Sequence, residues 1–437
     1  MAIAGNELHA LLTAYQEKLL RDLEIFQASP MACQEQHPAA LWATSGLMAL
    51  TGQAGGPATL CPVPLAQCAD DTLDAFRRVV NREVLPGVSG YQLLTERAAL
   101  AGLQRRGSQS TGGHCRLLAS RDGVVAVNLA RDSDWELVPA WLQQAGSFQW
   151  PDIASAVSGM ATQTLVERAR LLGLAVTNAE KIPTQACPWK SFAQLGKPVD
   201  KGKTNSPVVV DLTALWAGPL CSHLWQQAGA RVIKVESEQR PDGARNGDPA
   251  FFQRLNTGKE EITLPLHQPS GRRALLELVS KADIVLEGSR PRALRQMGIL
   301  AEEVVQSQPG LTWVSITGYG RDDPAGNWVA FGDDAAAAAG LSAILHAVTG
   351  EWLICADAIA DPLTGLHAAL AGWHHWRAGG GGLVTLSLEQ TVRHCIVATA
   401  PKDQDYPARQ RRWRAYLQRE KIPAGQPRSR EGSPSTP

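Results

Sequence analysis

Residues 207–236 read PVVVDLTALWAGPLCSHLWQQAGARVIKVE, and this stretch decides the fold class. Pro207–Leu212 is a short apolar, β-branched run bounded by a proline and a turn, the pattern of a buried strand. Ala217–Pro219 leads into a helix, Leu220–Ala228, that stops at Gly229, and Arg231–Glu236 is a second strand. Strand, helix and strand within about thirty residues make a βαβ unit, with a right-handed crossover and parallel strands. The pattern continues outward. Gly271–Ala282 predicts a helix, Ile284–Glu287 a strand, Ala301–Ser307 a helix and Leu311–Thr317 a strand. Alternation of this kind specifies α/β architecture with a doubly wound, Rossmann-like parallel sheet, here over residues 207–397.

Upstream, residues 1–190 have a mixed α+β texture. Arg116–Leu129 reads as a hairpin turning at Asp122–Gly123, followed by helices at Asp134–Leu142 and Met160–Leu172. Residues 191–206 read as a polar linker. Residues 398–437 form a basic, proline-rich end, expected to be disordered from about Lys421 for want of apolar residues to bury. Ser45–Pro57 (SGLMALTGQAGGP) is loosely echoed by Gly340–Trp352 (GLSAILHAVTGEW), which hints at a common ancestral unit.

With 437 residues the chain has room for two or three domains, and 44% hydrophobic residues suffice for a sizeable core. Its 42 basic residues balance 42 acidic ones, so no global field points to nucleic acid or an anionic membrane. No apolar run approaches the ~20 residues that span a bilayer, and the charged amphipathic start is unlike a signal peptide. The eight cysteines include no C-x-x-C pair, which argues against a zinc site or a disulfide framework. A soluble cytoplasmic enzyme is the expectation.

Chemistry is sought first at the βαβ turn, because a helix N-terminus after a strand suits a phosphate. Leu215-Trp216-Ala217-Gly218-Pro219 carries one glycine where a dinucleotide fingerprint needs three, so Glu236 is discounted as a ribose-binding acid. Asp361 followed by Pro362 makes an ideal helix cap, and local sequence alone favours that role. Gly379–Gly382 follows a helix and precedes a strand, the setting of a helix-ending turn. His367, His374 and His375 lack a ligand pattern, so structural roles and no metal are expected.

Several landmarks occur in an order more specific than any one of them. The stretch VVVDLTALWAGPLCSHLWQQAGARVIKVE is followed by DGAR (242–245), NTGK (256–259), ADIVLEGSRPRAL (282–294) and SITGYG (315–320). Asp334 with the alanines after it, DPLTGLH (361–367) and RAGGGGLVTLSL (377–388) complete the series. This arrangement resembles the class III CoA-transferases, the CaiB/BaiF family, over roughly residues 207–395. The resemblance implies a CoA-transferase fold and acyl-CoA:carboxylate transfer, with Asp361 as nucleophile; Asp357 is its rival if the register slips. It further implies an adenine side lined by Leu215, Trp216 and Ala217, with Gly218 near the CoA. Arg245 and Lys259 become candidates for the phosphates, and Arg290 belongs to a loop, Glu287–Arg292, expected to flank the nucleotide. Acyl-CoA and a carboxylic acid are then the substrates, with no permanently bound cofactor, no nucleic acid or membrane partner, and an interlocked homodimer as the assembly.

Two departures stand out. Asp333 occupies the place of the histidine that the family's racemases carry, which disfavours the racemase alternative. The segment order is also unusual, because Ser120–Leu142 resembles the family's small domain yet precedes the parallel-sheet region. The first half therefore reads as the latter part of a divergent copy, without a carboxylate between Gly52 and Asp70. A non-catalytic CoA-binding homologue is the remaining alternative.

Overall fold

The computed structural model describes residues 14–25, 36–200, 202 and 206–430. Two sheets organise it. The larger has seven strands: β4 (Ser191–Gln194), β5 (Val208–Leu212), β6 (Arg231–Ser237), β7 (Glu260–Leu264), β8 (Ile284–Glu287), β9 (Thr312–Thr317) and β10 (Gly382–Ser387). Their spatial order is β4-β10-β9-β8-β5-β6-β7. All pairings are parallel except that of edge strand β4 with β10. The smaller sheet is an antiparallel meander of β1 (Cys115–Ser120), β2 (Gly123–Asn128) and β3 (Ala175–Asn178).

Strand alternation divides the large sheet between two cores, because successive side chains point to opposite faces. Val209, Ile284, Leu286 and Val314 face the core that contains α8 (Ala217–Gln227) and α15 (Ala360–Arg377). Val210, Val285 and Trp313 face α10 (Pro269–Val279), α11 (Pro291–Gln296) and α12 (Ala301–Ser307). Strand order runs from β5 outward through β6 to one edge and through β8 to the other. The reversal lies between β5 and β8, the place where open α/β sheets bind ligands beyond the strand ends.

Helix α15 reaches α8 closely because its contact positions are small. A Cβ on Gly365 would lie 2.5 Å from the Ala217 carbonyl oxygen, and one on Gly372 would lie 2.5 Å from the Trp225 ring. The Trp225 indole N–H donates to Ala369 O at 2.9 Å, so the buried ring keeps its polar atom satisfied. Helix α3 (Leu65–Val80), from the first half, packs against the other flank of α15. Gly46, Cys61 and Gln67 stand at the same spacing as Gly340, Cys355 and Asp361, so the echo runs ungapped into both helices.

Two expectations need correction. The segment 191–206 supplies β4, because its backbone satisfies the open edge of β10. Residues 421–430 are not disordered; the rest of the expected tail lies outside the described residues. After α17 (Tyr406–Arg419) the backbone runs on as a packed strap to Arg430, whose guanidinium meets the buried carboxylate of Glu96. That ion pair, a backbone bond from Gly425 N–H to Ala43 O (2.7 Å) and the partly buried Ile422 packed against the core hold the strap in place. The predicted N-terminal helix is seen at residues 14–22, its earlier part lying outside the described residues. No described helix is long and apolar enough to cross a membrane.

Candidate active site

The turn after β5 is built by buried charges. Lys234, wholly buried on β6, donates to Asp242 Oδ2 (2.8 Å) and to Thr213 O (2.9 Å). Asp242 in turn accepts from Leu215 N–H at 2.9 Å, which holds Leu215 in a left-handed conformation at φ 69° with its side chain exposed. Next to it Trp216 is 3% exposed, edge-on to Phe251 at 5.1 Å. Ala217 and Gly218 open α8, and a Cβ on Gly218 would strike Thr213. The loop after β8 lies alongside, since a Cβ on Gly288 would come 3.2 Å from Thr213 Cγ2.

Across this turn lies a cluster of three carboxylates around one guanidinium. Arg97 comes from α4 (Gly90–Leu100) in the first half, and its Cζ sits 5.2 Å from the Trp216 ring. It grips Asp357 through Nε–Oδ2 (2.9 Å) and Nη2–Oδ1 (2.5 Å), while Thr111 Oγ1 donates to the same Oδ1. Burial opposes the charge on Arg97, but Asp357, Asp333 and Asp361 together raise its pKa. The rival Asp357 therefore has both oxygens engaged and no exposed surface, the setting of a structural counter-ion.

Asp361 differs. It stands in the first turn of α15, partly open to solvent, and accepts a hydrogen bond from Gly332 N–H. A Cβ on Gly332 would lie only 2.2 Å from Asp361 Oδ2, so glycine is required for that approach. Burial pushes the Asp361 carboxyl up to about 7, against the pull of Arg97 and with the help of Asp333 and Asp357. Asp333, at the start of α13 (Gly332–Ala338), is pushed up to about 6 by burial and by Asp357. Asp334 reaches about 8, mainly through burial, and accepts from Asn128 Nδ2 at 2.9 Å.

The loop before α15 is held in an uncommon shape. Ala356 and Ala358 have φ of 58° and 42°, a region that L-residues enter at a cost. Thr51 Oγ1 accepts from Ala356 N–H (3.1 Å), and Asp333 Oδ1 accepts from Ala358 N–H (2.8 Å). Thr51, Arg97, Ser110 and Thr111 all belong to the first half, so that half completes the surroundings of Asp361.

The expected basic residues have distinct surroundings. Lys259 Nζ is buried among Ser222 Oγ (2.8 Å), Asn256 Oδ1 (2.9 Å), Pro219 O (3.0 Å) and Asp211 Oδ2 (3.4 Å). Its donors are spent inside, bracing α8 against β5. Arg245 bonds Glu236 and Glu261 at 2.7 and 2.6 Å and lies over Phe252, which also removes Glu236 from any ribose. Arg290, at the start of α11, is half-buried; burial and the charges of Arg292, Arg131 and Arg240 lower its pKa. Arg131 donates to Gly173 O (3.2 Å), and a Cβ on Gly173 would lie 3.4 Å from Arg290 Nη1. The cationic group therefore spans both halves, next to a cleft of about 330 Å³ lined by Arg292, Arg295 and Arg321.

Sequence reasoning missed Arg97, Arg131 and Thr111, which lie far along the chain from every landmark. His367 is a core residue whose Nδ1–H donates to Leu363 O while Nε2 accepts from Tyr15 Oη at 2.7 Å, with burial pushing it down to about 3. His375 stacks on Phe192. Among the described residues no group of side chains is arranged to hold a metal, and the seven described cysteines are free thiols.

Residues 207–424 match CoA-transferase family III. The chain is 31% identical over 195 residues to a formyl-CoA:oxalate CoA-transferase of Escherichia coli O6:H1, an alignment covering 42% of this chain and 47% of that protein. The corresponding protein of Escherichia coli O139:H28 gives the same identity and coverage. The chain thus spans about half the length of these curated relatives. Among solved structures, a CaiB/BaiF family protein from Brucella suis is 26% identical with a TM-score of 0.40, covering 53% of this chain and 60% of that one. A hypothetical protein from Mycobacterium tuberculosis, Rv3272, is 28% identical with a TM-score of 0.39, covering 45% and 57%.

Proposed function

Residues 207–424 belong to CoA-transferase family III, and on that premise we propose that the chain is an acyl-CoA:carboxylate CoA-transferase with Asp361 as its nucleophile. The supporting observation is the contrast within one cluster: Asp357 is wholly engaged, whereas Asp361 is partly open and poised near neutral pH.

In this reading an Asp361 oxygen attacks the thioester carbonyl carbon. The carbon–sulfur bond breaks and the electron pair leaves on the CoA thiolate, giving a mixed anhydride. The thiolate then attacks the aspartyl carbonyl carbon, the original acid leaves as a carboxylate, and an aspartyl-CoA thioester remains. The acceptor carboxylate runs these steps in reverse. Nε and Nη2 of Arg97 are committed to Asp357, which leaves Nη1 for charge that develops on the substrate oxygen. Gly332 N–H keeps the attacking carboxylate oriented.

For CoA, the exposed side chain of Leu215 offers the adenine an apolar contact, backed by the buried Trp216, with Ala217 and Gly218 opening α8 beside it. Arg290, with Arg292 and Arg240 near it, offers the phosphates a positively charged place, while Arg131 beside them is held by Asp134. Lys259 braces the turn from within, and Arg245 pairs with Glu236 and Glu261 at its surface. Since one chain supplies both halves of the site, a homodimer would associate complete sites rather than create them, and light scattering decides its presence. The free thiols suit a reducing cytoplasm.

The test is peptide mass spectrometry after incubation with a panel of acyl-CoAs and a hydroxylamine quench. A hydroxamate on Asp361, absent in Asp361→Ala, is the expected result. CoA binding without any adduct across the panel would return the chain to a non-catalytic homologue. Exchange of the substrate α-proton in deuterated water would instead favour the racemase.

A further inference from the structure

The strap at the end of the described chain touches the site through one helix. Arg430 is 6% exposed, and its guanidinium takes both oxygens of Glu96, Nε–Oε1 at 2.6 Å and Nη2–Oε2 at 2.7 Å. Its remaining nitrogen, Nη1, lies 3.1 Å from His223 Nε2 on α8. Burial, followed by Arg430 itself, lowers the pKa of His223 well below its ordinary value, so the imidazole is neutral and accepts. Arg254 of α9 (Pro249–Asn256) approaches the same carboxylate at 3.6 Å.

Glu96 immediately precedes Arg97 on α4. Adjacent helical residues project about 100° apart, so one helix sends Glu96 to the strap and Arg97 to Asp357 and Trp216. The strap is itself seated. Gly425 N–H donates to Ala43 O, and Pro427 lies on Gly46, where a Cβ would come 2.5 Å from the proline nitrogen. Thr95 Oγ1 on α4 donates to Ser45 O (3.1 Å), tying the helix to the loop that carries the strap. A guanidinium with three contacts to two buried partners, Glu96 on α4 and His223 on α8, is a grip that a lysine cannot reproduce.

We propose that residues 421–430 form a clasp and that Arg430 is a positioning residue, acting through Glu96 to set Arg97 beside Asp361. The proposal rests on the reading of Asp361 as nucleophile. Without the grip, α4 loses its fixed rotation, and Arg97 no longer meets the reacting carboxyl at a constant distance. Binding of CoA, which lies on the strand-end loops and the Arg290 group, is spared.

The experiment compares the full-length protein with Arg430→Ala and Arg430→Lys, at a temperature where each is folded by circular dichroism. Both the acyl-CoA kinetics and deuterium uptake of residues 90–100 are followed. Expected for Arg430→Ala are a loss of roughly 10- to 100-fold in kcat, in line with the effect of small misplacements at a reacting centre, and a KM for acyl-CoA within about threefold. Faster exchange in residues 90–100 and partial recovery of kcat with added guanidinium ion complete the expected pattern. Arg430→Lys falls between, and it decides by the same readings if Arg430→Ala does not fold. A folded variant with kcat within twofold of the parent overturns the clasp, even if its melting temperature drops. If Asp361 of the parent never loads, the transferase reading fails instead. Exchange at residues 90–100 then decides the clasp alone, and unchanged uptake in Arg430→Ala overturns it.

Discussion

The sharpest consequence of the carboxylate cluster is a pH profile that an ordinary aspartate cannot give. Asp361 titrates at about 7, because burial penalises its charge and Asp333 and Asp357 repel it, with Arg97 compensating only in part. The nucleophile is the ionised form. About a tenth of the molecules are competent at pH 6 and about nine-tenths at pH 8, so loading rises about tenfold per pH unit below about 6 and levels off above about 8. Arg97→Met removes the one nearby positive charge. An opposite charge at close range shifts a carboxyl by about 1–3 units, so the midpoint should move to about 8 or higher in the variant. Breaking the Arg97–Asp357 pair also leaves Asp357 buried and uncompensated, at a cost of about 3–5 kcal/mol, and a stability measurement must confirm that the variant is folded. The assay is single-turnover loading at each pH from 5 to 9, quenched into hydroxylamine at one common pH. A profile already flat from pH 5 upward would refute the reasoning, as would an unchanged midpoint in a folded Arg97→Met.

Asp361→Asn abolishes loading yet should stabilise the fold at pH 8. The folded-state pKa lies above the unfolded value, so the stability linked to this carboxyl is full below about 4 and lost as pH rises through 7. A shift of about three units corresponds to at most about 4 kcal/mol, and partial exposure of the side chain reduces it; urea melts at pH 5 and 8 read the difference. Arg290→Ala should raise the KM for acyl-CoA about tenfold while leaving kcat within about threefold, an effect that fades with added salt; an unchanged KM at low salt removes Arg290 from the phosphates. Gly365→Leu forces α15 away from Ala217, so a fall in stability of several kcal/mol on chemical denaturation is expected. The adduct should reach one per chain, on Asp361 and never near Gln67, which intact mass resolves directly.

The parallel sheet was legible in the sequence because its signals are local. Val208–Leu212, Arg231–Ser237 and Ile284–Glu287 are short runs rich in β-branched residues between turn residues, and each became a central strand within a residue of its predicted bounds. Edge strands were not legible for the same reason. Ser191–Gln194 is fully exposed and Glu260–Leu264 is half charged, so neither carries the burial pattern that marks a central strand. The strap at residues 421–430 defeated composition in another way. Its anchors are Arg430 against Glu96, a glycine backbone and the lone apolar Ile422, which together make no hydrophobic pattern.

The site divides along the same line. Asp361, Trp216 and Gly218 sit in landmarks of the second half, whereas Arg97 and Thr111 hold that site from positions more than two hundred residues away in sequence. One clue was present. The spacing that relates Gly46, Cys61 and Gln67 to Gly340, Cys355 and Asp361 hints at two helices of common origin. Helix α3 does lie against α15, which brings the loops and α4 that follow α3 to the start of α15. Where the carboxylate stands on α15, the paired helix carries Gln67, bonded to Asp71 at 2.8 Å and turned to its own helix. An amide cannot attack a thioester as a carboxylate does, so in the proposed mechanism only the start of α15 can carry the nucleophile. The partner helix places the first half, and with it the guanidinium of Arg97, against the carboxyl of Asp361.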